Sequence, residues 1–364
     1  MAKILLSPLS WGLGHATRDM PIINLLIESG HEVGVAATGV AYTLLKREYP
    51  DLKFYRVEDY PSPYTRRGFS VARLLALFPL MYRNIIREHR AIDQIVKENG
   101  YDLVISDNRF GAFAKDVPSL FISHQIRFST PGGFEAIEKA TEAFNEFFHR
   151  NFDRVIIPDN PPGELSLSGK LGHAKRPGTI ERAYYAGILS NIRKIDVDED
   201  IDYLISISGP KETKRELQKV IMDQIDSLDG KKVLLMGDPE SYYEEHLNGG
   251  VVVKSHASRI EMEKLLNRAK CVITRSGYTT IIELAELGGK KALLIPTPGQ
   301  TEQEYLSRYY SEMGWFHSVD QRDLDLERDI AVAKEMAGLP AMPRSVENEK
   351  RLYEQVIRKS LSKG

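Results

Sequence analysis

Thr274-Arg275-Ser276-Gly277-Tyr278-Thr279-Thr280-Ile281-Ile282-Glu283 reads as the end of a strand, a tight turn and the start of a helix. Upstream, Cys271-Val272-Ile273 is a short apolar run of the kind that fills a buried parallel strand. Downstream, residues 280–287 have helical spacing and 292–295 form the next strand. Pro296-Thr297-Pro298-Gly299-Gln300 then breaks the chain, and a helix over 303–313 follows. Strand, turn, helix and strand again make the repeating unit of a parallel sheet.

The same alternation extends in both directions. In the first half, strands fit residues 3–7, 32–36, 53–56, 103–106, 119–122 and 154–157, with helices near 19–29, 71–99 and 135–151. In the second half, strands fit 203–207, 232–235 and 251–253, with helices over 213–225 and 259–269. A Pro-, Gly- and charge-rich stretch from Pro158 to about Asp202 separates the halves, ending in the acidic run Asp196-Val197-Asp198-Glu199-Asp200. That run reads as a solvated linker, not as a metal-binding Asp-x-Asp. The expected architecture is α/β: two Rossmann-like, doubly wound parallel-sheet domains facing a central cleft. The N-terminal domain covers 1–190 and the C-terminal domain 191–345, with a last helix near 346–362 packing back on the first. Open parallel sheets bind ligands beyond the carboxyl ends of their strands.

Composition sets bounds on function. The 364 residues suit two domains, and 42% apolar residues suffice for two cores. A formal net charge of -2 lacks the basic footprint of a dedicated nucleic-acid binder. One cysteine, Cys271, excludes an internal disulfide and a Cys-rich zinc site. The short apolar run at the N-terminus is no signal peptide, and no stretch of ~18 apolar residues predicts a membrane span. The expected location is the cytoplasm.

Two glycine loops stand where such sheets bind anions. The first strand runs into Trp11-Gly12-Leu13-Gly14-His15. Pro21 is tolerated in a helix's first turn, so the helix is expected to start no earlier than about Thr17. Gly12 and Gly14 permit a tight turn, and free N–H groups at the helix start favour an anion. His15 adds a group able to take a proton near neutral pH. The strand at 203–207 runs into Ser208-Gly209-Pro210-Lys211, where Lys211 is placed to reach a phosphate. Neither loop has the spacing of a dinucleotide fingerprint or a P-loop. Either loop also satisfies a plain strand-to-helix turn.

Past Gly277, Glu283 carries a carboxylate that can accept from both vicinal hydroxyls of a ribose, while Gln303 and Glu304 open the next helix. This segment resembles the donor site of MurG-like N-acetylglucosaminyltransferases, a GT-B superfamily. There an Arg-Ser-Gly turn is followed, seven residues after the Ser, by a ribose-binding Glu, as Ser276 and Glu283 are spaced. A Pro and a Gln-Gln pair that reads the sugar come next. Pro296 and Gln303 fall in register, and Glu304 replaces the second Gln. Gly14-His15 matches the end of the family's N-terminal loop, Ser208–Lys211 matches its C-domain loop loosely, and Ser123-His124-Gln125 resembles its His-Glu-Gln segment.

The resemblance implies an inverting, metal-independent glycosyltransferase that needs no cofactor and uses a UDP-sugar, N-acetylglucosamine or a related hexose. It implies a donor site of Gly14, Gly209, Lys211, Met262, Arg275, Ser276, Gly277, Glu283, Gln303 and Glu304. Arg275, Ser276, Gly277 and the 208–211 loop would stabilise the leaving group, and the loop at 258–262 would pack the base. His15 is the first choice for the general base, with Asp107 and His124 as further candidates. The acceptor is open and includes lipid-linked ones. Two other readings share the nucleotide clamp: an enzyme like UDP-N-acetylglucosamine 2-epimerase, and a non-catalytic nucleotide-sugar-binding subunit.

One further stretch stands out. Leu74-Leu75-Ala76-Leu77-Phe78-Pro79-Leu80-Met81-Tyr82 is flanked by Arg66, Arg67, Arg73, Arg83, Arg87 and Arg90. Such a surface suits an anionic bilayer, or is a helix packed on the sheet with its arginines in solvent. Pro79 is expected to kink it or divide it.

Overall fold

The computed structural model describes residues 1–11, 13–60, 64–65, 68–69, 71–130, 134–238 and 241–362. Gly12, Arg66 and Arg67 lie outside the described residues, as do the side chains of Arg73, Leu74 and Leu75. The chain divides into two units, Met1–Asn191 with Pro343–Gly364, and Ile192–Met342.

The first unit is built on β1 (Lys3–Pro8), whose residues from Ile4 onward are all buried. Around it lie β2 (Glu32–Ala37), β3 (Lys53–Arg56), β6 (Leu103–Asp107), β7 (Ser119–Ile122), β8 (Arg154–Ile157) and β9 (Ala183–Tyr185), while β4 (Tyr64–Thr65) and β5 (Gly68–Phe69) form a separate hairpin. The sheet order is β3-β2-β1-β6-β7-β8-β9, with every pairing parallel. The chain first winds outward from β1 and then returns to its other side at β6. The carboxyl ends of β1 and β6 therefore flank the point where the winding reverses, and Pro8 pairs with Asp107 there.

Helix α1 (Leu13–Glu28), α2 (Gly39–Glu48), α3 (Val71–Asn99), α4 (Glu135–His149) and the short α5 (Pro177–Ile180) accompany this sheet. One core joins Ile4, Leu6, Ala16, Met20, Ile22 and Ile23 to Leu352, Val356 and Ile357 near the chain's end. Pro21 sits inside α1. The helix starts at Leu13, earlier than expected, because the buried apolar stripe of α1 outweighs the one hydrogen bond a proline forgoes. Likewise α3 runs unbroken past Pro79.

The second unit contains β10 (Ile201–Ser206), β11 (Lys232–Leu235), β12 (Glu244–Leu247), β13 (Val251–Lys254), β14 (Ala269–Thr274), β15 (Lys291–Leu294) and β16 (His317–Ser318). Their order is β12-β13-β11-β10-β14-β15-β16, parallel except for the edge strand β12. Helices α6 (Lys211–Gln224), α7 (Arg259–Arg268), α8 (Tyr278–Leu287), α9 (Thr301–Glu312) and α10 (Leu326–Glu335) complete it, while α11 (Ser345–Leu352) and α12 (Arg358–Leu361), joined by one π-helical stretch, close the chain. The winding reverses between β10 and β14, where Ser206 pairs with Thr274 and Thr274 with Leu294. The acidic run expected to be a solvated linker is pinned at its end: Arg268 donates to both oxygens of Asp200 at 2.6 Å, and Lys231 to one at 2.7 Å.

Candidate active site

Three loops follow the adjacent strands β10, β14 and β15, and side-chain bonds tie them together. Gly209 has φ +110°, a conformation that glycine tolerates and L side chains do not. A Cβ there would lie 3.3 Å from Thr297 Oγ1. Thr297 is 1% exposed, and its hydroxyl has no hydrogen-bond partner among the described residues. Lys211 is the exposed first residue of α6. Ser276 Oγ donates to the Gln303 carbonyl at 2.9 Å, which sets α9 against the start of α8. Gly277 caps α8, and Gln303 Nε2 lies 3.9 Å from its Cβ position.

Gln303 and Glu304 shape the loop in front of α9. The Thr297 amide donates to Gln303 Oε1 at 2.8 Å, and the Gly299 amide to Glu304 Oε1 at 2.7 Å. Gln303 Nε2 donates to Gln300 Oε1 at 2.6 Å. Each side chain keeps polar capacity beyond these bonds, one N–H on Gln303 and one oxygen on Glu304.

Arg275 corrects an expectation. Its guanidinium was expected to face the leaving group, yet it is 1% exposed and all five of its N–H groups are taken. Nε donates to the Ser208 carbonyl, Nη1 to those of Ile295 and Pro296, and Nη2 to the Thr213 carbonyl and Gln321 Oε1. Burial, opposed by Glu216, lowers its pKa to about 10. Arg275 clamps the three loops and offers no free N–H to a ligand. Met262 is also spoken for in its backbone, since its amide donates to the Ser258 carbonyl in the first turn of α7.

Glu283 is different in kind. It lies on α8 between the buried Ile281, Ile282, Leu284 and Leu287. Its half-buried carboxylate has no hydrogen-bond partner among the described residues, and burial alone pushes its pKa up to about 7. Four buried aliphatic side chains contribute roughly 1.5–3 kcal/mol each, more than enough to hold one poorly solvated carboxyl group in place.

In the first unit, His15, Arg18 and Asp107 meet at the winding reversal. His15 Nδ1 lies 3.2 Å from both oxygens of Asp107 and 2.9 Å from Arg18 Nη2. Arg18 also donates to Asp107 Oδ1. Burial opposes the Asp107 charge, but Arg18 and His15 more than offset it and hold the carboxyl at about 2. Arg18 Nη1 stands 2.7 Å from His124 Nδ1, which accepts from it. His15 keeps 19% of its side chain exposed, whereas Asp107 is fully buried and His124 is 7% exposed. Of the three candidates for the base, His15 is the accessible one. Asp107 and His124 stand behind it, as partners of His15 and Arg18. Gly14 lies in the first turn of α1, one residue before His15.

The glycosyltransferase family 28 C-terminal domain matches residues 218–351, a span that contains the 275–277 turn, Glu283, Gln303 and Glu304. Two relatives are each described as an uncharacterized glycosyltransferase. That of Methanosarcina mazei is 21% identical over 332 residues, covering 86% of this chain and 84% of its own. That of Methanosarcina acetivorans is 22% identical over 329 residues, with the same shares. Among solved structures, Acinetobacter baumannii MurG superposes with a TM-score of 0.60 at 14% identity, over 98% of this chain and 100% of MurG. The glycosyltransferase SnogD from Streptomyces nogalater gives 0.59 at 16% identity, over 99% and 94%. The spinosyn rhamnosyltransferase SpnG, complexed with thymidine diphosphate, gives 0.60 at 14%, over 98% and 96%. Residues 218–351 carry a glycosyltransferase family 28 C-terminal domain, and the chain has the GT-B fold of these glycosyltransferases.

In the second unit, the structure unites Gly209, Ser276, Gly277 and Gln303 through Thr297 and Arg275, and places Glu283 along the helix that Gly277 caps. Three residues escaped the sequence reading. Arg18 and Asp19 lie three and four positions after His15, on one face of α1. Two charges inside an otherwise apolar helix were the available signal. Thr297 lacked one, because a threonine between prolines is ordinary in a turn.

Proposed function

We propose that the enzyme is an inverting hexosyltransferase that moves a sugar, N-acetylglucosamine or a related hexose, from a UDP-sugar to an acceptor hydroxyl. The unpartnered carboxylate of Glu283, on the helix that follows the 275–277 turn, carries this reading, because two vicinal ribose hydroxyls would supply the donors it lacks. The diphosphate would lie against the Gly209 loop, with the Thr297 hydroxyl, Lys211 and the N-terminus of α6 opposite its charge. Gln303 and Glu304 would read the sugar with their remaining donor and acceptor. His15 Nε2 takes the acceptor's proton, the acceptor oxygen bonds to the anomeric carbon, and the bond to the diphosphate breaks, releasing UDP. No cofactor or metal enters this scheme. The base role requires the tautomer in which His15 Nδ1 carries its hydrogen toward Asp107.

Thermal-shift screening against nucleotide sugars tests the donor assignment. UDP-N-acetylglucosamine or a UDP-hexose is expected to raise Tm in proportion to affinity, with UDP released only when an acceptor is supplied. Epimerisation of the sugar without acceptor would instead identify an epimerase-like enzyme.

The acceptor reading extends to lipid-linked hydroxyls at the inner face of a membrane. Phe78, Leu80 and Tyr82 are exposed on α3 beside exposed Arg83, Arg87 and Arg90. Phe78 packs edge-on against Phe144 of α4, at 5.9 Å between ring centroids. Among the described residues no helix is long and apolar enough to cross a membrane. This surface would touch a bilayer peripherally. The protein is expected to float with anionic liposomes and to be released by high salt; persistent absence from the floated fraction would remove the membrane contact.

A further inference from the structure

We propose that Asp19 is a neutral carboxylic acid that donates its hydrogen to Asp107, and thereby positions the carboxylate that faces His15. Both carboxyl groups are 0% exposed. Asp107 takes Arg18 on one oxygen and stands within reach of His15 with both. Among the described residues, neither oxygen of Asp19 accepts a hydrogen bond. An ionised carboxylate in that state is among the most costly things a protein can bury. A protonated one needs a single acceptor, and the neighbouring carboxylate of Asp107 would supply it. Burial first, then the charge of Asp107, push the Asp19 carboxyl well above the usual range, and Arg18 opposes them less strongly. Two adjacent buried carboxyls facing one guanidinium share a proton for the same reason that like charges cannot both ionise at close range.

The groups that face this pair are His15 and Arg18 from α1 and, through Arg18, His124 from the turn after β7. With Asp19 neutral, the charges of Arg18 and Asp107 cancel and the resting network is uncharged. His15 then meets one anion when it takes a proton. With Asp19 ionised, it would meet two. The Asp19 hydrogen also occupies one lone pair of Asp107, which fixes the carboxyl's rotation toward His15. The positioning role rests on His15 as the base proposed above; the protonation state of Asp19 does not.

Infrared difference spectra and pH–rate profiles of the full-length enzyme separate the two. The spectrum of wild type minus Asp19→Asn near pH 8 is expected to show the C=O stretch of a protonated carboxyl; its absence overturns the proposal whatever the enzyme transfers. Asn supplies a neutral N–H donor, so Asp19→Asn should keep kcat/KM and the acid limb of its pH profile close to wild type. A downward displacement of that limb by about one pH unit would mean that an anion had been removed, and would equally overturn it. Asp19→Ala, which supplies no donor, should lower kcat roughly 10- to 100-fold, on the scale of a misplaced catalytic group, and move the acid limb upward. If Asp19→Ala leaves rate and limb unchanged while the carboxyl band is present, the positioning role is lost. Should Asp19→Ala fail to fold, the Asp19→Asn profile and spectrum decide.

Discussion

His15→Ala is expected to lower kcat by at least ~10²-fold, on the scale of a lost general base, while the Kd for UDP stays within experimental error. The division follows from placement. His15 belongs to the first unit, and the groups assigned to the nucleotide lie in the second. Asp107 is buried and held ionised at about 2, so it is too weak a base to replace the imidazole. His124 accepts from Arg18 through Nδ1 and is 7% exposed, which keeps it from the role as well. Calorimetric titration with UDP and steady-state kinetics, run on the same preparation, check both halves. Unchanged turnover would remove His15 from the chemistry, and a parallel loss of UDP affinity would point to a damaged fold.

Glu283→Ala should do the reverse, weakening UDP by roughly 100-fold, the scale of two hydrogen bonds to a charged group. Protonation refines this expectation. Binding to ribose hydroxyls favours the carboxylate, and in the unliganded enzyme that group titrates at about 7. UDP should therefore bind more tightly near pH 8 than near pH 6, with protons released on binding near neutrality. Glu283→Ala should flatten that dependence. The same group affects stability with a definite sign. Its folded pKa lies above the unfolded one, so its favourable contribution is complete below about 4.5 and is lost as pH rises through about 7. Glu283→Gln should then stabilise the unliganded enzyme near pH 8.5 by about 1–2 kcal/mol, a figure reduced for the group's partial exposure, and by much less near pH 5. Urea unfolding at the two pH values measures the difference. A residue whose replacement strengthens the fold and weakens the ligand is being kept for the ligand.

The parallel-sheet elements were legible because burial on both faces demands unbroken aliphatic runs. Ile4-Leu5-Leu6 and Val272-Ile273 admit little else. Strand β12 left no such mark: Glu244–Leu247 is exposed throughout, and its pairing with β13 needs backbone alone. The start of α1 was misplaced because a local rule about Pro21 was applied without the sheet beneath the helix. Ser276 and Glu283 could be placed by spacing, one in a turn and the other on the helix after it. The use of Arg275 could not. Four of its five acceptors are main-chain carbonyls, which carry no residue code. A sequence pattern therefore located the arginine correctly and still assigned it to the ligand instead of to the loops.

If Glu283 holds the ribose of a nucleotide donor, a thermodynamic cycle reveals it without any acceptor. UDP and 2′,3′-dideoxy-UDP are titrated into wild type and Glu283→Ala near pH 8. Wild type should prefer UDP by roughly 100-fold, and Glu283→Ala should bind the two nearly alike. If Glu283→Ala discriminates between them as strongly as wild type does, the carboxylate does not meet the ribose and the account of the donor site is wrong.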